Sequence, residues 1–249
     1  MPAPTPERPS ERRGAARTTV LWATLRDALP SEPGDVLDVG GGTGGLAVRV
    51  AELGHRVTVV DPSPDALAML ARRADERGVA DRVRGVQGDL ADLGSVEPVD
   101  AVLCHGVLEV APDPAAALGA LAGCLRADGV LSLVVAQRYA AVLARAMAGH
   151  LVAARELLAA GPGDVPAGGP GRGRRFTHEE LRPLLGDAGL DVVSVHGVRV
   201  FADLVPGALL DLEPGAAQAL VELEQAAAAR PELFPLATQL HVVARGART

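Results

Sequence analysis

The run Gly40-Gly41-Gly42-Thr43-Gly44-Gly45 follows the apolar segment Val36-Leu37-Asp38-Val39, and Asp61 closes the next apolar segment, Arg56-Val57-Thr58-Val59-Val60. Glycines carry no Cβ, so the main chain there can approach a ligand that side chains would exclude. A helix starting just beyond presents free backbone N–H groups to the same point. Asp61 lies about twenty residues downstream, at a strand tip, where its carboxylate can accept hydrogen bonds from both hydroxyls of a ribose. Two glycine-rich cofactor classes fit this pattern, a dinucleotide and S-adenosylmethionine.

The rest of the chain separates the two. A dehydrogenase needs a second nucleotide-binding half or a Tyr–Lys catalytic pair, and this chain has one tyrosine, Tyr139, and no lysine. All 24 basic residues are arginine, and Asn and Ile are also absent. The missing lysine excludes a phosphate loop ending Gly-Lys-Ser/Thr, a pyridoxal Schiff base and a kinase-type lysine. Net charge is −7 and aromatics make up 2% of 249 residues, which argues against an extended nucleic-acid-coating surface and leaves room for a local basic patch. Cys104 and Cys124 have neither metal-ligand spacing nor a disulfide framework and read as small core residues; no metal is expected. No apolar run reaches the ~18 residues of a membrane span. Met1 to Gly14 is rich in proline and charge without an apolar signal region, so a cytoplasmic protein is expected.

The elements around these residues alternate. Residues 1–14 read as a disordered tail and 15–249 as one domain, opening with a helix from Thr19 through Val20, Leu21, Leu25 and Leu29. Strands at Val36–Val39, Arg56–Val60, Val83–Val86, Ala101–Cys104 and Val130–Val135 alternate with helices at Leu46–Leu53, from a Pro62-Ser63-Pro64 cap through Leu67, Met69, Leu70 and Ala74 to near Gly78, and at Pro114–Arg126. This predicts an α/β fold with a doubly wound, mostly parallel sheet. Beyond Gln137 the pattern predicts a long Ala/Leu helix from Ala141 to Ala160 and a Gly/Pro loop from Gly161 to Gly173. A capping-box helix from Thr177 to Gly189 follows, then a strand over Val192–Val195 and Val198–Phe201, a helix from Pro214 to Arg230 and a final strand, Gln239–Ala244. Residues 138–176 form the expected helical and loop lid.

Gly88-Asp89, Val99-Asp100-Ala101-Val102-Leu103 and Leu125-Arg126-Ala127-Asp128-Gly129-Val130-Leu131, taken with the glycine run and Asp61, resemble the successive motifs of class I S-adenosylmethionine-dependent methyltransferases. The resemblance implies a seven-stranded Rossmann-like methyltransferase fold in the order 3-2-1-4-5-7-6, its seventh strand antiparallel. It further implies that Gly40, Gly41 and Gly42 line the methionine part of the cofactor, Asp61 takes the ribose, and Asp89 and Leu90 flank adenine.

Further segments resemble the bacterial tRNA 5-carboxymethoxyuridine methyltransferase family: Arg17-Thr18-Thr19-Val20-Leu21-Trp22, Cys104-His105-Gly106-Val107-Leu108-Glu109, Met147-Ala148-Gly149, Gly197-Val198-Arg199-Val200-Phe201, Glu222-Leu223-Glu224 and His241-Val242-Val243-Ala244-Arg245. By that resemblance Arg17 holds the cofactor's methionine carboxylate and His105 sits at its methionine end, unless His105 is a structural hydrogen-bonding histidine. Arg199 can pair with a substrate carboxylate or with Asp203. No catalytic acid or base is identified; His105 and Arg199 are candidates for positioning. Expected acceptors are tRNA or, on the same scaffold, a small molecule. Candidates for substrate contact are Arg138, Tyr139, Arg174 and Arg175, with Arg145 and Arg172 as further cations for RNA. The chain departs from the family on the acceptor side: Val110 replaces an aromatic, Ala136-Gln137 replaces a Tyr-Asn pair, and the Gly/Pro/Arg segment Gly161–Phe176 replaces a lysine-rich loop.

Overall fold

The computed structural model describes residues 9–161, 164, 173–206, 208–212 and 215–246, with backbone alone for 9–18, 95, 211 and 212. In chain order the elements are α1 (Pro9–Ala28), β1 (Asp35–Val39), α2 (Ala47–Glu52), β2 (Arg56–Asp61), α3 (Pro64–Glu76), β3 (Val83–Gln87), β4 (Val99–His105), α4 (Pro114–Gly123) and β5 (Leu125–Ala136). There follow α5 (Arg138–Met147), α6 (Leu151–Ala159), α7 (His178–Asp187), β6 (Leu190–Val198), α8 (Leu209–Leu212), α9 (Ala216–Ala228) and β7 (Gln239–Gly246). The strands form one seven-stranded sheet in the order 3-2-1-4-5-7-6, mostly parallel with one antiparallel pair.

β1 pairs with β2 and β4 on its two sides, so the strand order reverses at β1. In register, Val39 lies opposite Val60 and Cys104, Asp61 opposite Gln87, and His105 opposite Val134. The ends of β1, β2, β3 and β4 therefore reach one rim together. Their apolar runs bury on both faces, as parallel strands covered by helices do: Val36, Leu37, Val39, Val57, Val59, Val102, Leu103 and Leu131 are all within 3% of full burial. Cys104 and Cys124 are buried among them. No helix among the described residues is long and apolar enough to cross a membrane.

The chain divides into two compact units. One holds Ala28–Ala136, Ala160–Ser194 and the described part of Val242–Thr249; the other holds the described part of Met1–Asp27, Gln137–Ala159 and Val195–His241. The expected lid is thus split, with 138–159 in the second unit and 160–176 in the first.

Expected boundaries differ in several places. The helix expected over Pro114–Arg126 stops at Gly123, and Leu125 and Arg126 open β5 instead. Three further differences each have a local reason. α1 starts at Pro9, not Thr19, so residues 9–14 of the expected tail are helical; proline suits a first helical turn, and the Arg, Glu and Ala residues after it favour helix. Residues 1–8 lie outside the described residues. The single helix expected over Ala141–Ala160 is two, α5 and α6. Gly149 takes φ +80°, its N–H bonds Ala146 and the N–H of His150 bonds Arg145, a closure that ends α5. The strand expected to continue through Val198–Phe201 stops at Val198, because Arg199 adopts φ +58° and turns the chain.

Candidate functional site

The glycine run forms the turn between β1 and α2. Gly40 has φ +68° and donates its N–H to the Val60 carbonyl at 2.7 Å, and a Cβ there would lie 2.3 Å from Val107 Cγ2. Gly41 has an ordinary φ, yet a Cβ would fall 2.4 Å from Asp38 Oδ2 and 2.9 Å from Val59. A side chain at either position has no room, so the main chain itself faces outward.

Asp61, 8% exposed at the tip of β2, ties the turn to α3. Its Oδ2 accepts the Gly42 N–H and its Oδ1 the Ser63 N–H, each at 2.9 Å. Ser63 in turn caps α3 by accepting the Ala66 N–H, with Pro64 in the first turn. An ionised carboxylate offers about four lone-pair sites, so Asp61 keeps acceptor capacity on both oxygens. Beneath the turn lies Asp38, 3% exposed, a residue to which the sequence reading gave no part. Burial, and after it the neighbouring Asp61 charge, push its carboxyl up to about 7. A carboxylate interrupting the apolar run before the glycines was the available signal.

These residues open onto a cavity of about 440 Å³, within the size range of small-molecule sites. Gly40, Asp61 and Pro62, then Asp89, Leu90 and Ala91, and Val107, Val110, Ala111 and Pro112 line it, whereas Gly41 and Gly42 do not. Asp89 shapes its own side: its Oδ1 accepts the Ala91 N–H at 2.7 Å, and its N–H donates to Asp92 Oδ2 at 2.8 Å. His105, at the end of β4, shares a 2.9 Å hydrogen bond between its Nε2 and Ser132 Oγ. Gly106, not His105, lines the cavity.

The wall at 109–112 carries a second cluster. Glu109 is 9% exposed; its Oε1 accepts the Ala136 N–H at 2.7 Å, and its buried Oε2 has no hydrogen-bond partner among the described residues. Burial raises its carboxyl, against the pull of backbone amides and the Arg175 charge. The Arg174 guanidinium donates to the carbonyls of Ala111 and Pro112. Arg174 and Arg175 thus meet the segment that carries the cavity wall and are not among the cavity's lining residues. Arg199 pairs with Asp203, whose other oxygen accepts the Thr238 hydroxyl at 2.7 Å. Glu224, 1% exposed, accepts the N–H groups of Val200, Phe201 and Ala202 at 2.7–2.9 Å and holds the turn after Arg199. Glu224 was read only as part of a motif; no local pattern signals a carboxylate that serves a turn more than twenty residues away.

Arg138 begins α5 and is 6% exposed, Tyr139 beside it is 40% exposed, and Arg145 donates to the Ala141 carbonyl. Gln137, where the resembled family has an asparagine, caps α5 by accepting the Ala140 N–H at 2.9 Å. Arg17 lies in the backbone of α1, but its side chain, like all of Arg172, is outside the described residues.

Residues 37–131 match the family described as a methyltransferase domain. The tRNA 5-carboxymethoxyuridine methyltransferase of Escherichia coli (strain K12) is 30% identical over 246 residues, covering 94% of this chain and 89% of that protein. The ubiquinone biosynthesis O-methyltransferase of Xanthomonas campestris pv. campestris (strain B100) is 36% identical over 140 residues, 55% of this chain and 56% of that one. Among solved structures, the Burkholderia thailandensis 1,6-didemethyltoxoflavin-N1-methyltransferase, with bound 1,6-didemethyltoxoflavin and S-adenosylhomocysteine, superposes with a TM-score of 0.57 at 26% identity, covering 95% of this chain and 79% of that one.

Proposed function

We propose that this chain, which belongs to the class I S-adenosylmethionine-dependent methyltransferases and to the family of the tRNA 5-carboxymethoxyuridine methyltransferase of Escherichia coli, methylates a carboxylate oxygen of its acceptor. The observation that carries the cofactor's seat is the side-chain-free turn at Gly40-Gly41-Gly42 meeting the Asp61 carboxylate at the 440 Å³ cavity. There the backbone of Gly40, Gly41 and Gly42 takes the methionine portion, Asp61 the ribose hydroxyls, and the slot of Asp89 and Leu90 the purine. Arg17 is assigned to the methionine end on the family resemblance, and His105, bonded to Ser132 and outside the cavity lining, to holding the end of β4. The bound cofactor supplies an electrophilic methyl group on a sulfonium.

The chain's own work is then geometric. A carboxylate nucleophile is ionised at neutral pH, so no general base has to be built. Holding an acceptor oxygen in line in a dry site can lower the barrier by roughly 7–11 kcal/mol. Arginine suits the acceptor carboxylate, being planar, two-pronged and permanently charged; Arg138, with Tyr139 next to it in α5, is assigned to that part, since Arg199 is already held by Asp203.

The acceptor is the 5-carboxymethoxyuridine of a tRNA wobble position, a reading supported by identity that spans 94% of the chain. A small-molecule acceptor is the second reading. It is favoured by Val110 standing exposed on the cavity wall in place of an aromatic, and by Gln137 being engaged as a helix cap. Calorimetry with S-adenosylhomocysteine tests the cofactor seat: wild-type protein binds, and Asp61→Ala loses about tenfold or more in affinity. Absence of binding to wild type rejects the reading. Methyl transfer to tRNA carrying unesterified carboxymethoxyuridine then tests the acceptor, and no turnover on it leaves the small-molecule reading in its place.

A further inference from the structure

The cavity wall at Glu109–Pro112 has little structure of its own. It joins β4 to α4 through two turn bonds, Val110 N–H to Val107 at 3.0 Å and Ala111 N–H to Leu108 at 3.4 Å, and Pro112 has no N–H to offer. Three of its carbonyls nevertheless have partners, all on one residue. Arg174 donates its backbone N–H to Glu109 O at 2.8 Å and its guanidinium to the carbonyls of Ala111 and Pro112, the latter at 2.9 Å.

That residue is itself anchored from both sides. Gly173 packs flat on Glu109: a Cβ there would lie 3.0 Å from Glu109 Cβ and 3.3 Å from its carbonyl oxygen. Phe176, 2% exposed, donates its N–H to Ala136 O at 2.9 Å, while the Ala136 N–H donates to Glu109 Oε1. Ala136, Glu109, Arg174 and Phe176 therefore close a ring across the end of β5. Val110, Ala111 and Pro112, the next residues after Glu109, line the cavity, and the ring's own residues do not.

We propose that Arg174 is a positioning residue of the cofactor cavity, which sets the place of the Val110–Pro112 wall through its carbonyls, and is not a contact for tRNA. This rests on the cavity being the S-adenosylmethionine seat. A planar guanidinium presents five donors in a fixed fork, so it holds two successive carbonyls at one spacing, which an ammonium on a flexible stem does not. Gly173, Arg174 and Phe176 thereby act together on cofactor affinity.

Calorimetry with S-adenosylhomocysteine on the full chain tests this with Arg174→Ala, Arg174→Lys and, as control, the exposed Arg182→Ala. Arg174→Ala is expected to weaken binding about tenfold, Arg174→Lys to recover part of the loss through one carbonyl, and Arg182→Ala to bind as wild type. In turnover assays the KM for S-adenosylmethionine rises while kcat changes less than about twofold. Wild-type affinity in Arg174→Ala, with or without weaker tRNA binding, overturns the proposal, as does a loss of kcat at unchanged KM. Should the alanine variant not fold, Arg174→Lys and Arg174→Gln carry the test, and undiminished affinity in both overturns it. Failure of wild type to bind S-adenosylhomocysteine strikes the cofactor seat itself and is thereby distinguishable.

Discussion

Asp38 and Asp61 show how two carboxyl groups that meet one glycine turn divide their work. Asp61 is held by two backbone amides and keeps lone pairs for a ligand. Asp38 is sealed beneath Gly41, where desolvation and the Asp61 charge favour its neutral form up to about pH 7. Its folded-state affinity for a proton exceeds the unfolded one, so it stabilises the fold below pH ~4 and that contribution is lost as pH rises towards about 7. Thermal melts of ligand-free wild type and Asp38→Asn across pH 4–8 are expected to diverge, wild type falling relative to the variant by up to about tenfold in the folding equilibrium per pH unit. Parallel profiles contradict a buried neutral Asp38. Asp61 was readable because spacing and strand-end position define it. Asp38 left a signal as a carboxylate within an apolar run, but its neutral character was not readable, because that depends on which way one strand residue points and on what covers it.

At the level of elements, local chemistry marked the ones that carry their own punctuation. Ser63-Pro64 caps α3 and Thr177 with Glu180 makes the capping box of α7, both as expected. Elements decided by distant groups were hidden. β6 stops at Val198 because Glu224, on α9, takes the N–H groups of the next three turning residues after Arg199. Glu224→Ala leaves those amides without their acceptor in a buried place, at a cost of about 3–5 kcal/mol; Glu224→Gln, which keeps one acceptor oxygen, loses less. Denaturant melts of the two variants check the order, and equal stability of all three proteins contradicts it. Arg174 was likewise legible as a cation near a loop end and illegible as a residue that binds main-chain carbonyls, since nothing in the sequence marks which backbone it meets.

For the whole molecule, a net charge of −7 and arginine as its sole basic side chain besides histidine set how it meets a polyanion. With Arg174 and Arg199 engaged inside the chain, few cations are left for phosphates. If tRNA is the acceptor, the logarithm of affinity is expected to fall with the logarithm of salt at a slope of about two or three, measured between 50 and 200 mM; a slope near ten, as for a phosphate-coating protein, contradicts this. The doubly wound α/β class followed from the alternation of apolar runs and helices and was readable from it, whereas the order 3-2-1-4-5-7-6 was available only through the resemblance to methyltransferases. The acceptor side is made of irregular segments, and there pattern gives no purchase. At the glycine turn, a single added carbon at Gly40 or Gly41 collides with Val107 or Asp38, so neither position admits a stepwise change. Any retuning of this cavity has to come through the side chains around it, such as Leu90 and Val110.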